Sequence, residues 1–174
     1  YTEQLILGNV YAELVEKNTN LKVKKNLNLG GSSVAFNAIK SGELDMYVDY
    51  TGTLLVNVMR HAPIKDADEA YNVVKDTMEK ENQLTLLDPL GFNNTYTLAM
   101  MPETAEKYGI NTISDLTKYG KEFTFSPTLE FENREDGLVG LSRDYGLKFK
   151  DVKAMNGSLR YTALDNNESQ VIDA

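Results

Sequence analysis

Apolar and polar positions alternate in two different rhythms along this chain. Residues 2–17 follow a helical period, with Thr2 able to cap and Ile6, Val10 and Leu14 recurring at i, i+4 and i+8. LKVKKNL (21–27) switches to a period of two, which predicts a strand. Gly30 and Gly31 then precede Ser32, a predicted cap for a helix with Val34, Ala35, Ala38 and Ile39 on one side. LDMYV (44–48) predicts a second strand, and TGTLLVNVM (51–59) a helix from its first threonine. Residues 66–82 form an amphipathic helix opened by Asp66, with Ala70, Val73, Val74 and Met78 inward. LTLLDPL (84–90) is a short strand that Pro89 interrupts.

The rhythm restarts after Gly91. A strand follows the Gly/Asn-rich stretch within 91–101, and a helix over 102–109 has Pro102 at its first position and Gly109 as its stop. A short capped helix covers 114–120, and a strand covers 122–128. Helices over 134–146 and 158–168 lead to a last strand over 169–174. Strands alternating with helices predict an α/β fold with largely parallel sheets, whose ligands sit beyond the carboxyl ends of strands. The junction near residue 92 predicts two lobes, residues 1–92 and 93–174, with a cleft between them.

Composition narrows the chemistry. The net charge of −8 argues against nucleic acid, whose affinity rests on neutralising phosphates, and against an anionic membrane surface. No apolar run approaches the roughly 20 residues a spanning helix needs. With no cysteine, thiol catalysis, disulfides and zinc thiolate sites are excluded. The single histidine, His61, would have to serve any Ser-His-Asp triad, and its place near a helix end reads as structural. No nucleophile elbow is present, and the charged cluster Glu130, Glu132, Arg134, Glu135 and Asp136 reads as an ion-paired face rather than a glycosidase acid pair. Gly30-Gly31 lacks the lysine of a phosphate loop and reads as a tight turn. These observations predict no enzyme activity, no metal and no cofactor.

The segments TEQLIL, LNLGGSSVAFNAIKSGELDMYVDYTGT, PLGFNNTYTLAM, FENREDGL and SLRYTALDNNESQVIDA stand in collinear order through nearly the whole chain. Together they resemble the substrate-binding proteins of osmoprotectant and quaternary-amine ABC transporters. The resemblance implies a bilobed type II periplasmic-binding-protein fold that captures glycine betaine, proline betaine, carnitine or choline and hands it to a permease. It implies a place in the periplasm or on the extracellular face, reached through a lipid anchor or a permease fusion. In that family a short strand precedes the TEQ motif, and after VIDA come an aromatic residue, Ser-Thr-Asp-Gly and a C-terminal return that completes lobe one. Neither segment is among these 174 residues. Set against the family, the fold is therefore expected to lack its first strand and its return, and either to pair with another chain, as by self-association, or to bind ligand poorly alone.

A quaternary ammonium group has no N–H to donate, so aromatic faces must hold it, at about 0.5–2 kcal/mol per ring. With ten tyrosines and no tryptophan, a cage here is built from tyrosine. Tyr50 ends the 44–48 strand and matches one cage position of the family, whereas Tyr47 reads as packing. Tyr96 matches a second cage position. Thr53 stands where some relatives carry an acid, which favours zwitterionic betaines, because a hydroxyl can donate to a carboxylate, or a broad specificity. Gln4 could donate its amide to the same carboxylate, and Asn93 and Asn94 read as turn residues. An effector-sensing domain of a regulator on the same fold is the alternative function, although no helix-turn-helix or basic stripe accompanies it.

Overall fold

The computed structural model describes residues 2–27 and 29–174 and divides into two units, Tyr1–Leu90 and Gly91–Ala174. The first unit is helical among its described residues. Helix α1 spans Thr2–Asn18, α2 spans Ser32–Lys40, a single turn α3 covers Thr51–Thr53, and α4 runs Ala67–Asn82. Between α3 and α4 the helix widens into a π turn over Leu54–Val58, a geometry found often beside functional sites. Helix α4 starts where Asp66 caps it, its carboxylate accepting from the Glu69 amide at 2.8 Å. Ala70, Val74 and Met78 are buried against Leu54 and Leu55, with Tyr47 and Phe36 packed alongside.

Three expectations for this unit are corrected. No ladder forms over 21–27, 44–48 or 84–90; among the described residues the only sheet lies in the second unit. A period of two says which side chains share a face, but a strand exists only when a neighbour supplies its hydrogen bonds. Here the backbone finds local partners instead. The Val23 amide donates to Glu16, Tyr50 to Asp49, and Leu84 to the Met78 carbonyl at the end of α4. The second correction concerns α1, whose periodic residues point to solvent: Ile6 is 58% exposed, Val10 47% and Leu14 51%, and only Ala12 is buried. Ser32 does not cap α2 either. Gly31 holds that position, and the Ser32 hydroxyl donates to Asp49.

The second unit builds a four-stranded sheet in the order β1-β4-β2-β3, with β1 Leu98–Ala99, β2 Thr124–Ser126, β3 Asp151–Val152 and β4 Val171–Asp173. Strand β2 is parallel to both β3 and β4, while β1 runs antiparallel to β4 with Leu98 opposite Asp173. The helices around it are α5 (Pro102–Tyr108), α6 (Ile113–Tyr119), α7 (Leu129–Asn133), α8 (Leu138–Tyr145) and α9 (Gly157–Asp165). Central β2 carries Phe125, fully buried and stacked on Phe149 at 4.5 Å between ring centres. Around it lie Phe123, Phe131, Leu147 and Val171. The α6 cap is Thr112, two residues ahead of Ser114, with its hydroxyl accepting from the Asp115 amide at 3.1 Å. The helix expected over 134–146 starts only at Leu138, and α7 and β3 are elements that the sequence pattern does not predict. Gly137 sits at the corner between α7 and α8, where a Cβ would collide with the Phe131 carbonyl. That close approach needs glycine.

Candidate functional site

In the first unit, the residues to explain are Gln4, Tyr50 and Thr53. Tyr50 is the N-cap of α3 and has extended backbone (φ −108°, ψ 136°), so its side chain leaves the chain where strand-like backbone turns into helix. Two contacts fix it. Its own amide donates to Asp49 Oδ1 at 2.8 Å, and that same oxygen accepts from Ser32 Oγ at 3.0 Å. At the far end of the side chain, the phenolic hydroxyl donates to a carboxylate oxygen of Glu3. Glu3 lies in the first turn of α1, adjacent to Gln4, so α1 and the α3 cap meet through this pair. Tyr50 is only partly buried, which suits a ring that could hold a cation while its hydroxyl is anchored. Thr53 is one turn further on and is buried at 6% exposure.

Tyr47 differs from Tyr50. It packs against the Leu54–Val74 cluster, and burial, reinforced by the Asp49 carboxylate, pushes its phenol far above the ordinary tyrosine range. It is a neutral, packed ring at any physiological pH. Glu3 and Asp49 make the Tyr50 surroundings acidic, which suits a cation and disfavours an anion.

Tyr96 belongs to the second unit. It lies two residues ahead of β1, half-buried, with its ring 5.1 Å from Phe131 at a tilt of 58°. The guanidinium carbon of Arg134 sits 5.0 Å from the ring centre. Arg134 is 3% exposed at its side chain and is held by a two-toothed contact to Asp136, Nε to Oδ1 and Nη2 to Oδ2, each at 2.7 Å. Glu130 adds a longer ion pair at 3.6 Å. Burial pulls the Arg134 pKa down, but Asp136, with help from Glu130, more than offsets it, so the group stays charged. One face of Tyr96 is therefore already stacked by a cation of the protein itself.

The acidic cluster is thus an ion-pair network, with Arg143 also bridging Glu135 at 3.1 Å and Asp144 at 2.7 Å. His61 is exposed, its Nδ1 2.8 Å from the Ala62 carbonyl. Among the described residues, no group of three or more His, Cys, Asp or Glu side chains could hold a metal ion. No described helix is long and apolar enough to cross a membrane.

Two partners escaped the sequence reading. Glu3 and Tyr50 are 47 residues apart, and nothing in their spacing joins them. Arg134 is ion-paired, as its charged neighbours in sequence suggest, but its stacking on Tyr96 has no signature along the chain.

Residues 1–174 match the family described as OpuAC, the substrate binding domain of ABC-type glycine betaine transport systems. The ergothioneine transport permease/ergothioneine binding protein EgtU of Helicobacter pylori is 35% identical over 99% of this chain and 31% of its own length. The carnitine transport binding protein OpuCC of Listeria monocytogenes is 38% identical over 98% of this chain and 56% of its own. A solved structure described as a glycine betaine/carnitine/choline ABC transporter superposes with a TM-score of 0.70 at 35% identity, covering 98% of this chain and 64% of that one. The chain therefore spans between about a third and two thirds of the length of these relatives.

Proposed function

Since the chain belongs to the OpuAC family of substrate-binding domains of ABC-type glycine betaine transport systems, we propose that it captures a quaternary ammonium osmoprotectant for an ABC importer. The fold is that of periplasmic-binding-protein-type substrate-binding proteins, and the family is one of binding domains, not enzymes. In our reading the ligand is glycine betaine, proline betaine, carnitine or choline. Tyr50 and Tyr96 supply the aromatic faces, and Thr53 and Gln4 donate to a ligand carboxylate. Residues 1–92 and 93–174 act as the two lobes, and the loaded protein delivers its ligand to the permease from the periplasm or from the extracellular face. A lipid anchor or fusion to the permease keeps it there.

The observation that carries this reading is the Tyr50–Glu3 contact. A tyrosine whose hydroxyl is tied to a carboxylate keeps its ring face open and electron-rich, with a second negative charge nearby at Asp49. Isothermal titration of the chain in its full-length context with the four candidate ligands, and with the betaine ergothioneine, tests it. Binding of at least one of them is the expected result. Binding of none, together with binding of an ordinary amino acid, would sink the proposal.

Glu3→Gln separates the charge from the hydrogen bond. The amide still accepts from the Tyr50 hydroxyl, but the negative charge is gone. Affinity for choline, a net cation, is expected to fall up to about fivefold, the scale of an exposed ion pair. Affinity for the zwitterion glycine betaine should fall less. Equal losses for both would mean that Glu3 acts on Tyr50 geometry alone.

The exposed stripe of Ile6, Val10 and Leu14 on α1 favours self-association of the 174-residue chain. Light scattering is expected to give a mass above that of a monomer, and Val10→Lys with Leu14→Lys should restore the monomer. A monomeric wild-type chain at 100 μM or so would overturn this.

A further inference from the structure

Asp173 closes β4 and is completely buried, as is its partner Arg160. Arg160 Nη1 reaches Asp173 Oδ1 at 2.6 Å, and Arg160 Nε donates to the Gly157 carbonyl at 3.1 Å. The Asp173 carboxylate does more than pair with this charge. Its Oδ1 accepts from the Thr128 amide at 2.8 Å, and its Oδ2 accepts from the Thr128 hydroxyl at 2.9 Å. Thr128 is the N-cap of α7, its Oγ1 accepting in turn from the Phe131 amide at 3.2 Å. So a single buried carboxylate clamps the cap of the short helix on which Phe131 sits and after which Arg134 follows.

The same carboxylate belongs to the strand end that holds Tyr96. Asp173 is opposite Leu98 in the β1–β4 ladder, and one residue on, Thr97 and Ala174 exchange both backbone hydrogen bonds, at 3.0 and 2.9 Å. Tyr96 is the next residue. Its backbone thus hangs from the Asp173 end of β4, while two groups packed on its ring, Phe131 at 5.1 Å and Arg134 at 5.0 Å, hang from the Thr128 cap. These two attachments meet at Asp173. A five-residue helix has too few internal hydrogen bonds to hold its own place. A buried charged pair is a poor source of net stability compared with apolar residues, so its presence needs another reason.

We propose that Asp173, neutralised by Arg160, is a positioning residue for Tyr96: it locks the strand end that holds the ring and the helix that carries Phe131 and leads into Arg134 into one fixed relation. The proposal rests on the reading of Tyr96 as a ligand-binding ring, but its first readout does not. In the 174-residue chain, the Arg134 Nε–H resonance should show an upfield shift from the Tyr96 ring current, identified by its loss in Tyr96→Leu. The double variant R160M/D173N removes both buried charges together while leaving an amide to meet Thr128. It is expected to fold, to move the Arg134 resonance at least halfway to its Tyr96→Leu position, and to weaken binding of glycine betaine about tenfold. Should it not fold, Thr128→Ala serves in its place, with Thr128→Ser expected to restore the resonance. A folded R160M/D173N or Thr128→Ala variant with the Arg134 resonance unmoved would overturn the proposal and leave an ordinary core ion pair. If the wild-type protein binds no quaternary ammonium compound while the resonance moves as described, the positioning role stands and the ligand assignment falls.

Discussion

Asp173→Ala alone is expected to lower the melting temperature of the second unit by at least about 12 °C, from a loss of about 3–5 kcal/mol. The size follows from what is left behind. Arg160 is 2% exposed and its partner 0%, so the variant takes the carboxylate away from a buried guanidinium. The Thr128 amide and hydroxyl lose their acceptors at the same time, and each unsatisfied buried donor adds about 1–3 kcal/mol. The estimate is therefore a lower one. R160M/D173N should recover most of the loss, because removing both charges together also removes the desolvation cost of each. Thermal unfolding followed by circular dichroism distinguishes the two. A single variant as stable as the double would mean that water enters the pair, and the burial argument would fail.

The way this pair was hidden in the sequence is instructive. Asp173 lies in a VID run that predicts a buried strand, and it does end β4. Nothing local marks its carboxylate as buried, since its partners stand 13 and 45 residues away. The parts of the fold that were legible are those set by neighbours in sequence. Asp66 as a cap, Ala70, Val74 and Met78 as a buried face, Pro102 at a helix start and Gly109 and Gly146 in left-handed backbone all follow from local rules. Strand pairing is non-local, and there the reading divides by unit. The segment 122–128 found β3 and β4 as neighbours, while 21–27, 44–48 and 84–90 found none among the described residues. The Ile6-Val10-Leu14 stripe has the same origin, because periodicity identifies an apolar face without supplying a surface to cover it. In the candidate site, the Thr-Gly-Thr after Tyr50 correctly announced the turn from strand-like backbone into helix. The groups that fix the two rings, Glu3 for Tyr50 and Phe131 with Arg134 for Tyr96, come from other elements and left no trace in spacing.

The largest effect on ligand capture should come from removing both rings. Each aromatic face contributes about 0.5–2 kcal/mol to a bound ammonium. Tyr50→Leu with Tyr96→Leu is therefore expected to cost about 1–4 kcal/mol, or about 5- to 1000-fold in dissociation constant. The two residues lie in different units, and their separate effects should add if each meets the ligand independently. The single variants need not be equal. Tyr50 is tied at its hydroxyl, and Tyr50→Phe tests that tie: it keeps the ring, loses the contact to Glu3 and should retain most of the affinity. Tyr96 has Arg134 on its ring, and Tyr96→Leu also removes the stacking partner of that buried guanidinium. A loss of stability should accompany its loss of affinity, whereas Tyr50→Leu should be nearly silent in thermal unfolding. Titration calorimetry and unfolding on the same four variants separate these outcomes. Wild-type affinity in the Tyr50→Leu, Tyr96→Leu double variant would mean that neither ring touches the ligand, and the tyrosine cage would have to be sought elsewhere.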